Sequence, residues 1–156
     1  MVKYYNFDIV FAEIPDETTL ALNITNCPNH CKGCHSVHLQ KDIGVVLDDA
    51  ELRNLLHCYG TAITCVCFMG GDAAPMEIAR LAGVVKEHYP RLKTAWYSGC
   101  DALIEGFKTR NFDYIKIGCW NEQAGPLSSP STNQHLYHIA GDGTMQDITS
   151  KFWRKF

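Results

Sequence analysis

Short apolar runs alternate along the chain with segments that have helical periodicity. Two alternating runs, over residues 4–13 and 19–25, flank a turn-like segment at 14–17 and predict an N-terminal hairpin. A nearly unbroken apolar run over residues 62–68 is typical of a parallel strand that is buried on both faces. The same reasoning predicts further strands over residues 92–97, 112–117 and 135–140.

Helical segments separate several of these strands. One helix is predicted to begin at Asp48 or Asp49 as N-cap and to end near His57. A second has Pro75 in its first turn and runs to about His88. A short helix over residues 101–107 and a helical tail over 147–156 complete the set. Because strand and helix alternate, we expect an α/β fold with a mostly parallel sheet and an N-terminal hairpin, in one domain over residues 1–156.

Composition and charge exclude several classes of protein. The chain has 156 residues, of which 46% are hydrophobic and 20% charged, so we expect a globular protein rather than a disordered one. The net charge is −3 and no basic run occurs, which argues against nucleic-acid binding. We find no signal-peptide pattern and no apolar stretch of about 18 residues, so we expect a cytoplasmic protein without a membrane partner.

The spacing Cys-x3-Cys-x2-Cys, at Cys27, Cys31 and Cys34, directly follows the second predicted strand. A structural zinc site and the common iron–sulfur sites need four protein ligands, so three thiolates leave one metal position open to substrate. We therefore favour a three-cysteine iron–sulfur cluster with one open iron. The alternative is a zinc ion whose fourth ligand is a nearby histidine, namely His30, His35 or His38.

Small and polar residues follow the other predicted parallel strands. These are Gly70-Gly71-Asp72, Ser98-Gly99 and Gly118-Cys119. Because ligands gather at the carboxyl ends of parallel strands, we expect these turns and the cysteine loop to meet at one edge of the sheet. The Asp72 carboxylate suits an ammonium group, or it caps the helix at Pro75. Residues 121–133 are rich in turn formers and predict a long surface loop.

Together these motifs resemble those of the radical S-adenosylmethionine superfamily, and the chain length is similar to that of the small activating enzymes of glycyl-radical proteins. The likeness is carried by residues 27–35, 67–72, 95–99 and 131–134. It implies a partial (βα) barrel in which Cys27, Cys31 and Cys34 hold a 4Fe-4S cluster. It also implies that other residues line a pocket for S-adenosyl-L-methionine: Gly33, His35, Gly70, Gly71, Asp72, Ser98 and Gly99.

The resemblance also implies an oxidoreductase activity. The reduced cluster would cleave S-adenosylmethionine, and the 5′-deoxyadenosyl radical would take a hydrogen atom from a glycine of a partner protein. The partner implied is the large subunit of anaerobic ribonucleoside-triphosphate reductase, with a flavodoxin- or ferredoxin-type electron donor. Two alternatives stay open: an activating enzyme of another glycyl-radical protein, and a non-catalytic zinc-binding module that bridges partners.

Overall fold

One mixed sheet of eight strands organises the computed structural model, which describes residues 1–153. Across the sheet the strand order is β3-β1-β2-β4-β5-β6-β7-β8. In chain order the strands are β1 (Lys3–Val10), β2 (Thr19–Ile24), β3 (Val45–Val46), β4 (Cys65–Met69), β5 (Lys93–Tyr97), β6 (Tyr114–Ile117), β7 (His135–Ile139) and β8 (Met145–Asp147). The helices are α1 (Asp49–Tyr59) and α2 (Pro75–His88), with short 3-10 turns at Val37–Gln40, Thr109–Asn111 and Thr149–Trp153.

The centre of the sheet is parallel, whereas both flanks are antiparallel. Strands β2, β4, β5 and β6 run parallel to one another. The hairpin partner β1, together with β3, β7 and β8, joins in antiparallel pairs. Four of the seven strand pairs in residues 1–153 are thus antiparallel, so the prediction of a mostly parallel sheet is wrong. No helix connects β6 to β7 within the described chain, so β7 turns back beside β6. The α/β class and the N-terminal hairpin are confirmed.

Both long helices form as the sequence predicts. The Asp48 side chain accepts a hydrogen bond of 2.8 Å from the Glu51 N–H and caps α1. Helix α2 has Pro75 at its start, and its N-cap residue, Ala74, makes no side-chain capping bond. Among residues 1–153, no helix combines the length and the apolar character that crossing a bilayer requires.

The two weaker helix predictions are wrong or only partly tested. Residues 101–107 are irregular, because Phe107 stacks on Trp96 with ring centroids 4.8 Å apart and this tertiary contact outweighs local helix propensity. The predicted tail over residues 147–156 instead contains the end of β8 and a 3-10 turn. Residues 154–156 of that prediction lie outside the described chain.

Side chains of the central strands alternate between two apolar layers. One layer joins the strands to α1 and α2, and its strand residues include Leu20, Leu22, Val66, Phe68, Trp96 and Ile115. The layer on the opposite face includes Ile14, Cys65, Cys67, Ala95, Tyr97, Tyr114 and Leu136. Cys65 and Cys67 are fully buried and lie on this one face as small core side chains. Because β2, β4, β5 and β6 are parallel, their carboxyl ends lie together at one edge of the sheet, between the two apolar layers.

Candidate functional site

The cysteine loop follows β2, and its first residues are bonded through their backbone to the segment around the 3-10 turn at Val37–Gln40. The N–H groups of Asn26 and Cys27 donate to the carbonyls of Lys41 and Leu39 at 3.1 and 3.0 Å. Gly33 adopts a left-handed conformation, with φ of 74°. Hydrogen bonds therefore fix the start of the loop, and a tight turn from Cys31 to Cys34 closes its other end.

The three thiols of this loop are partly exposed and close enough to influence one another. Burial raises the pKa of the Cys27 thiol, and the Asp72 carboxylate and the thiols of Cys31 and Cys34 raise it further. Within residues 1–153, no three Cys, His, Asp or Glu side chains are arranged to hold a single ion. In a cluster each thiolate binds its own iron, so the thiols need not converge on one point. The loop therefore supplies three free cysteines, the number and type of protein donor that the proposed cluster would use.

Each histidine that could complete a zinc site has another partner in the structure. The Nδ1 atom of His30 lies 2.8 Å from the Gln40 Oε1 atom. The His35 ring packs edge-on against Trp120, and the His38 ring packs edge-on against Tyr5. These contacts do not exclude a fourth zinc ligand, because a histidine that hydrogen-bonds through Nδ1 can still bind a metal through Nε2.

Asp72 connects the cysteine loop to the turn after β5. Its Oδ2 atom accepts from the Asn29 side-chain amide at 2.6 Å and from the Gly99 N–H at 2.8 Å, while Oδ1 accepts from the Ser98 hydroxyl at 2.5 Å. Asn29 lies between Cys27 and Cys31 in the sequence. The structure thus brings together the loops after three adjacent parallel strands, β2, β4 and β5, and Asp72 joins them instead of capping α2.

The glycines of this region permit close packing of backbone and side chains. Gly70 and Gly71 have φ values of 107° and 99°. A Cβ atom on Gly71 would lie 2.5 Å from Ile78 Cγ1 in α2, and one on Gly99 would lie 2.7 Å from the Asn29 amide nitrogen. The Gly70 N–H donates to the Tyr97 carbonyl and its own carbonyl accepts from the Trp96 indole, so both polar groups of Gly70 are paired within the protein.

Two of the predicted pocket residues, Gly33 and His35, contact Trp120. The His35 and Trp120 ring centroids are 4.9 Å apart, and the indole nitrogen lies against Gly33. A cavity of about 290 Å³ opens beside this contact and is lined by Lys32, Cys119, Trp120, Asn121, Glu122 and Gln123. The predicted surface loop over residues 121–133 is confirmed as an irregular segment, and its start lies beside the cysteine loop.

Lys116 is a site residue that the sequence reasoning missed. It lies in β6, is only 7% exposed, and donates from Nζ to the Gly118 carbonyl and the Gln134 side-chain oxygen at 2.9 and 3.0 Å. Burial lowers its pKa to about 8, although the nearby Asp72 carboxylate and Cys31 thiol act in the opposite direction. The available signal was one lysine among strand residues that are otherwise apolar, Tyr114-Ile115-Lys116-Ile117.

The contribution of Lys116 to the free energy of unfolding should depend on pH. Below pH 8 the ammonium is charged in both folded and unfolded chains, so the full cost of burying it is present. Above pH 8 the lysine loses its proton in the folded chain before it does so in the unfolded chain. The free energy of unfolding of the wild-type protein should therefore rise by about 2 kcal/mol relative to that of Lys116→Met by pH 9.5. Urea denaturation of both proteins from pH 6 to 9.5 measures this difference. The difference between the two unfolding free energies should be constant up to about pH 7 and should change above it. A difference that stays constant from pH 6 to 9.5 would contradict the prediction.

Comparison of the chain with protein-family models, with curated proteins and with solved structures finds no match. A function for this chain is therefore inferred from the cysteine spacing, from the resemblance of the motifs and from the contacts that surround Asp72.

Proposed function

We propose that this chain is a radical S-adenosylmethionine activating enzyme that generates a glycyl radical on anaerobic ribonucleoside-triphosphate reductase. In this proposal Cys27, Cys31 and Cys34 hold a 4Fe-4S cluster, and β2, β4, β5 and β6 form the parallel part of a partial (βα) barrel. The observation that carries the proposal is the link from the cysteine loop to Asp72. This bond supports the proposal because it joins the loop that carries the three cysteines to Asp72 at the carboxyl ends of the parallel strands.

The charges at this edge suit the amino-acid part of S-adenosylmethionine. Asp72 and Lys116 carry opposite charges and lie close enough to interact. A zwitterion presents an ammonium and a carboxylate, so Asp72 would bind the first and Lys116 the second. Ser98 and Gly99, both bonded to Asp72, would fix the direction of its carboxylate. When bound, the cluster and S-adenosylmethionine supply the radical chemistry, while these residues bind and orient.

Access for a protein substrate is the second element of the proposal. A cavity of about 310 Å³ lies between the β1–β2 connection and the 121–133 loop. Its wall includes Glu13, Tyr97, Trp120 and Gln134. Gln134 also accepts from Lys116, so this cavity adjoins the charged edge described above. A glycine-containing loop of the reductase large subunit would approach from this side, with electrons supplied by a flavodoxin- or ferredoxin-type protein.

Anaerobic reconstitution with iron and sulfide tests the proposal. The protein should take up iron, show the electron paramagnetic resonance signal of a reduced cluster and release 5′-deoxyadenosine from S-adenosylmethionine. Incubation with the reductase should then give a glycyl-radical signal. One zinc per chain with no iron would overturn the proposal and favour the zinc-binding module. Formation of 5′-deoxyadenosine without a radical on the reductase would assign the protein to another glycyl-radical partner.

A further inference from the structure

The indole N–H of Trp120 is buried and lacks an acceptor among the described residues. An N–H group removed from water without a new partner is costly, and native structures seldom contain one. The other two tryptophans differ in this respect. Trp96 donates to the Gly70 carbonyl at 2.7 Å, and Trp153 donates to the Leu127 carbonyl at 3.0 Å. The Trp120 N–H, which is unpaired within the described residues as are Thr19 Oγ1 and Asn133 Oδ1, is therefore available to an acceptor that a bound group supplies.

The orphaned N–H lies against the cysteine motif itself. An ideal Cβ atom on Gly33 would be 3.4 Å from Trp120 Nε1, and Gly33 directly precedes Cys34. On the other side of Cys34, the His35 ring packs edge-on against the same indole. Trp120 thus contacts both sequence neighbours of Cys34, which leaves its N–H beside the turn from Cys31 to Cys34.

We propose that the Trp120 indole N–H donates a hydrogen bond to a sulfur atom of the iron–sulfur group held by this loop, an inference that rests on the proposed function. Thiolate and sulfide sulfurs carry negative charge and accept hydrogen bonds. Reduction adds a further negative charge, so a donor at this position stabilises the reduced state and raises the reduction potential. Trp120 would accordingly tune the reduction potential through a direct contact with a sulfur atom of the bound group.

Glu122 is the competing acceptor. Its Oε2 atom lies 3.7 Å from the same ideal Cβ position on Gly33, close to the indole nitrogen. The side chain is exposed, and a change of rotamer could bring its carboxylate to the N–H. In that case the indole would have no effect on a cluster, and the two alternatives predict different potentials.

The two possible acceptors are distinguished by a redox titration of the iron-loaded Trp120→Phe variant. Electron paramagnetic resonance measures the reduced cluster at each potential. Phenylalanine retains an aromatic ring against His35 and removes the N–H. At the wild-type midpoint, the ratio of reduced to oxidised cluster should fall about tenfold, equivalent to a decrease of about 59 mV. The matched control is Trp153→Phe, which removes an indole whose N–H binds a carbonyl, and its potential should equal that of wild type. An unchanged potential in Trp120→Phe would overturn the inference and assign the N–H to Glu122.

A second variant covers the case in which Trp120→Phe fails to load iron. Incorporation of 3-benzothienylalanine at position 120 replaces the N–H by sulfur and keeps the shape of the ring system. The same decrease in potential should follow, and a wild-type potential would overturn the inference. Failure of the wild-type protein to bind iron would instead refute the proposed function, so the two failures are distinguishable.

Discussion

Replacement of Cys31 by alanine should abolish iron–sulfur cluster formation and S-adenosylmethionine cleavage together. In the proposed cluster each of the three thiolates would hold a different iron, so no remaining ligand could take the place of the missing one. The turn itself should persist, because it is closed by a 3.1 Å backbone hydrogen bond from the Cys34 N–H to the Cys31 carbonyl. Iron analysis after anaerobic reconstitution and a chromatographic assay for 5′-deoxyadenosine measure the two losses.

Cys58→Ala is the matched control for this substitution. Cys58 is an exposed thiol near the end of α1, and it lies outside the cysteine loop. The Cys58 variant should keep the iron content and the cleavage rate of wild type. A Cys31→Ala protein that retains four irons per chain and full activity would refute the ligand assignment.

Asp72→Ala should reduce both stability and S-adenosylmethionine cleavage. The substitution leaves the Asn29 amide, the Ser98 hydroxyl and the Gly99 N–H without their common acceptor. Because hydrogen bonds to a charged group stabilise more than neutral ones, we expect the free energy of unfolding to fall by about 3 kcal/mol. We expect the cleavage rate at low S-adenosylmethionine concentration to fall about 100-fold, which corresponds to about 3 kcal/mol. Urea denaturation and the cleavage assay measure these effects.

Two further variants show which property of Asp72 matters. Asp101→Ala removes an exposed carboxylate near the same edge that accepts only a long bond of 3.4 Å from the Cys119 N–H, and it should behave as wild type. Asp72→Asn keeps one carbonyl oxygen as acceptor but loses the charge, so its stability should be intermediate. If Asp72→Ala were as stable as wild type, the three contacts could not be what holds the cysteine loop to the sheet.

Local sequence patterns were sufficient for the central elements of the fold. Helix α2 has a local cause in the proline at its start, and it forms where it was predicted. Strand β4 has a local cause in the apolar run over residues 62–68, and it forms over the later part of that run and one residue beyond it. The direction of β7 has no such cause, since a turn-rich connection of residues 118–134 can lead to either orientation. The prediction of a helix over residues 101–107 was wrong for a related reason, because Phe107 packs on Trp96, which belongs to β5.

The candidate site was predictable in outline but not in its contacts. The rule that ligands gather at the carboxyl ends of parallel strands places the cysteine loop near Asp72 and Ser98. The bond that joins them comes from Asn29, which is 43 residues away from Asp72 in the sequence and carries no local signal for this partner. Trp120 and Lys116 escaped prediction for the same reason, since their importance comes from neighbours contributed by other strands and loops.

The shared carboxylate of Asp72 has a thermodynamic consequence. Since the same side chain restrains the cysteine loop and the turn after β5, order in one segment lowers the entropic cost of ordering the other. Any metal group that immobilises the loop would therefore increase the affinity of the neighbouring pocket for its ligand. Coupling of this kind is reciprocal, so a ligand in the pocket would increase the affinity of the loop for the metal group by the same factor.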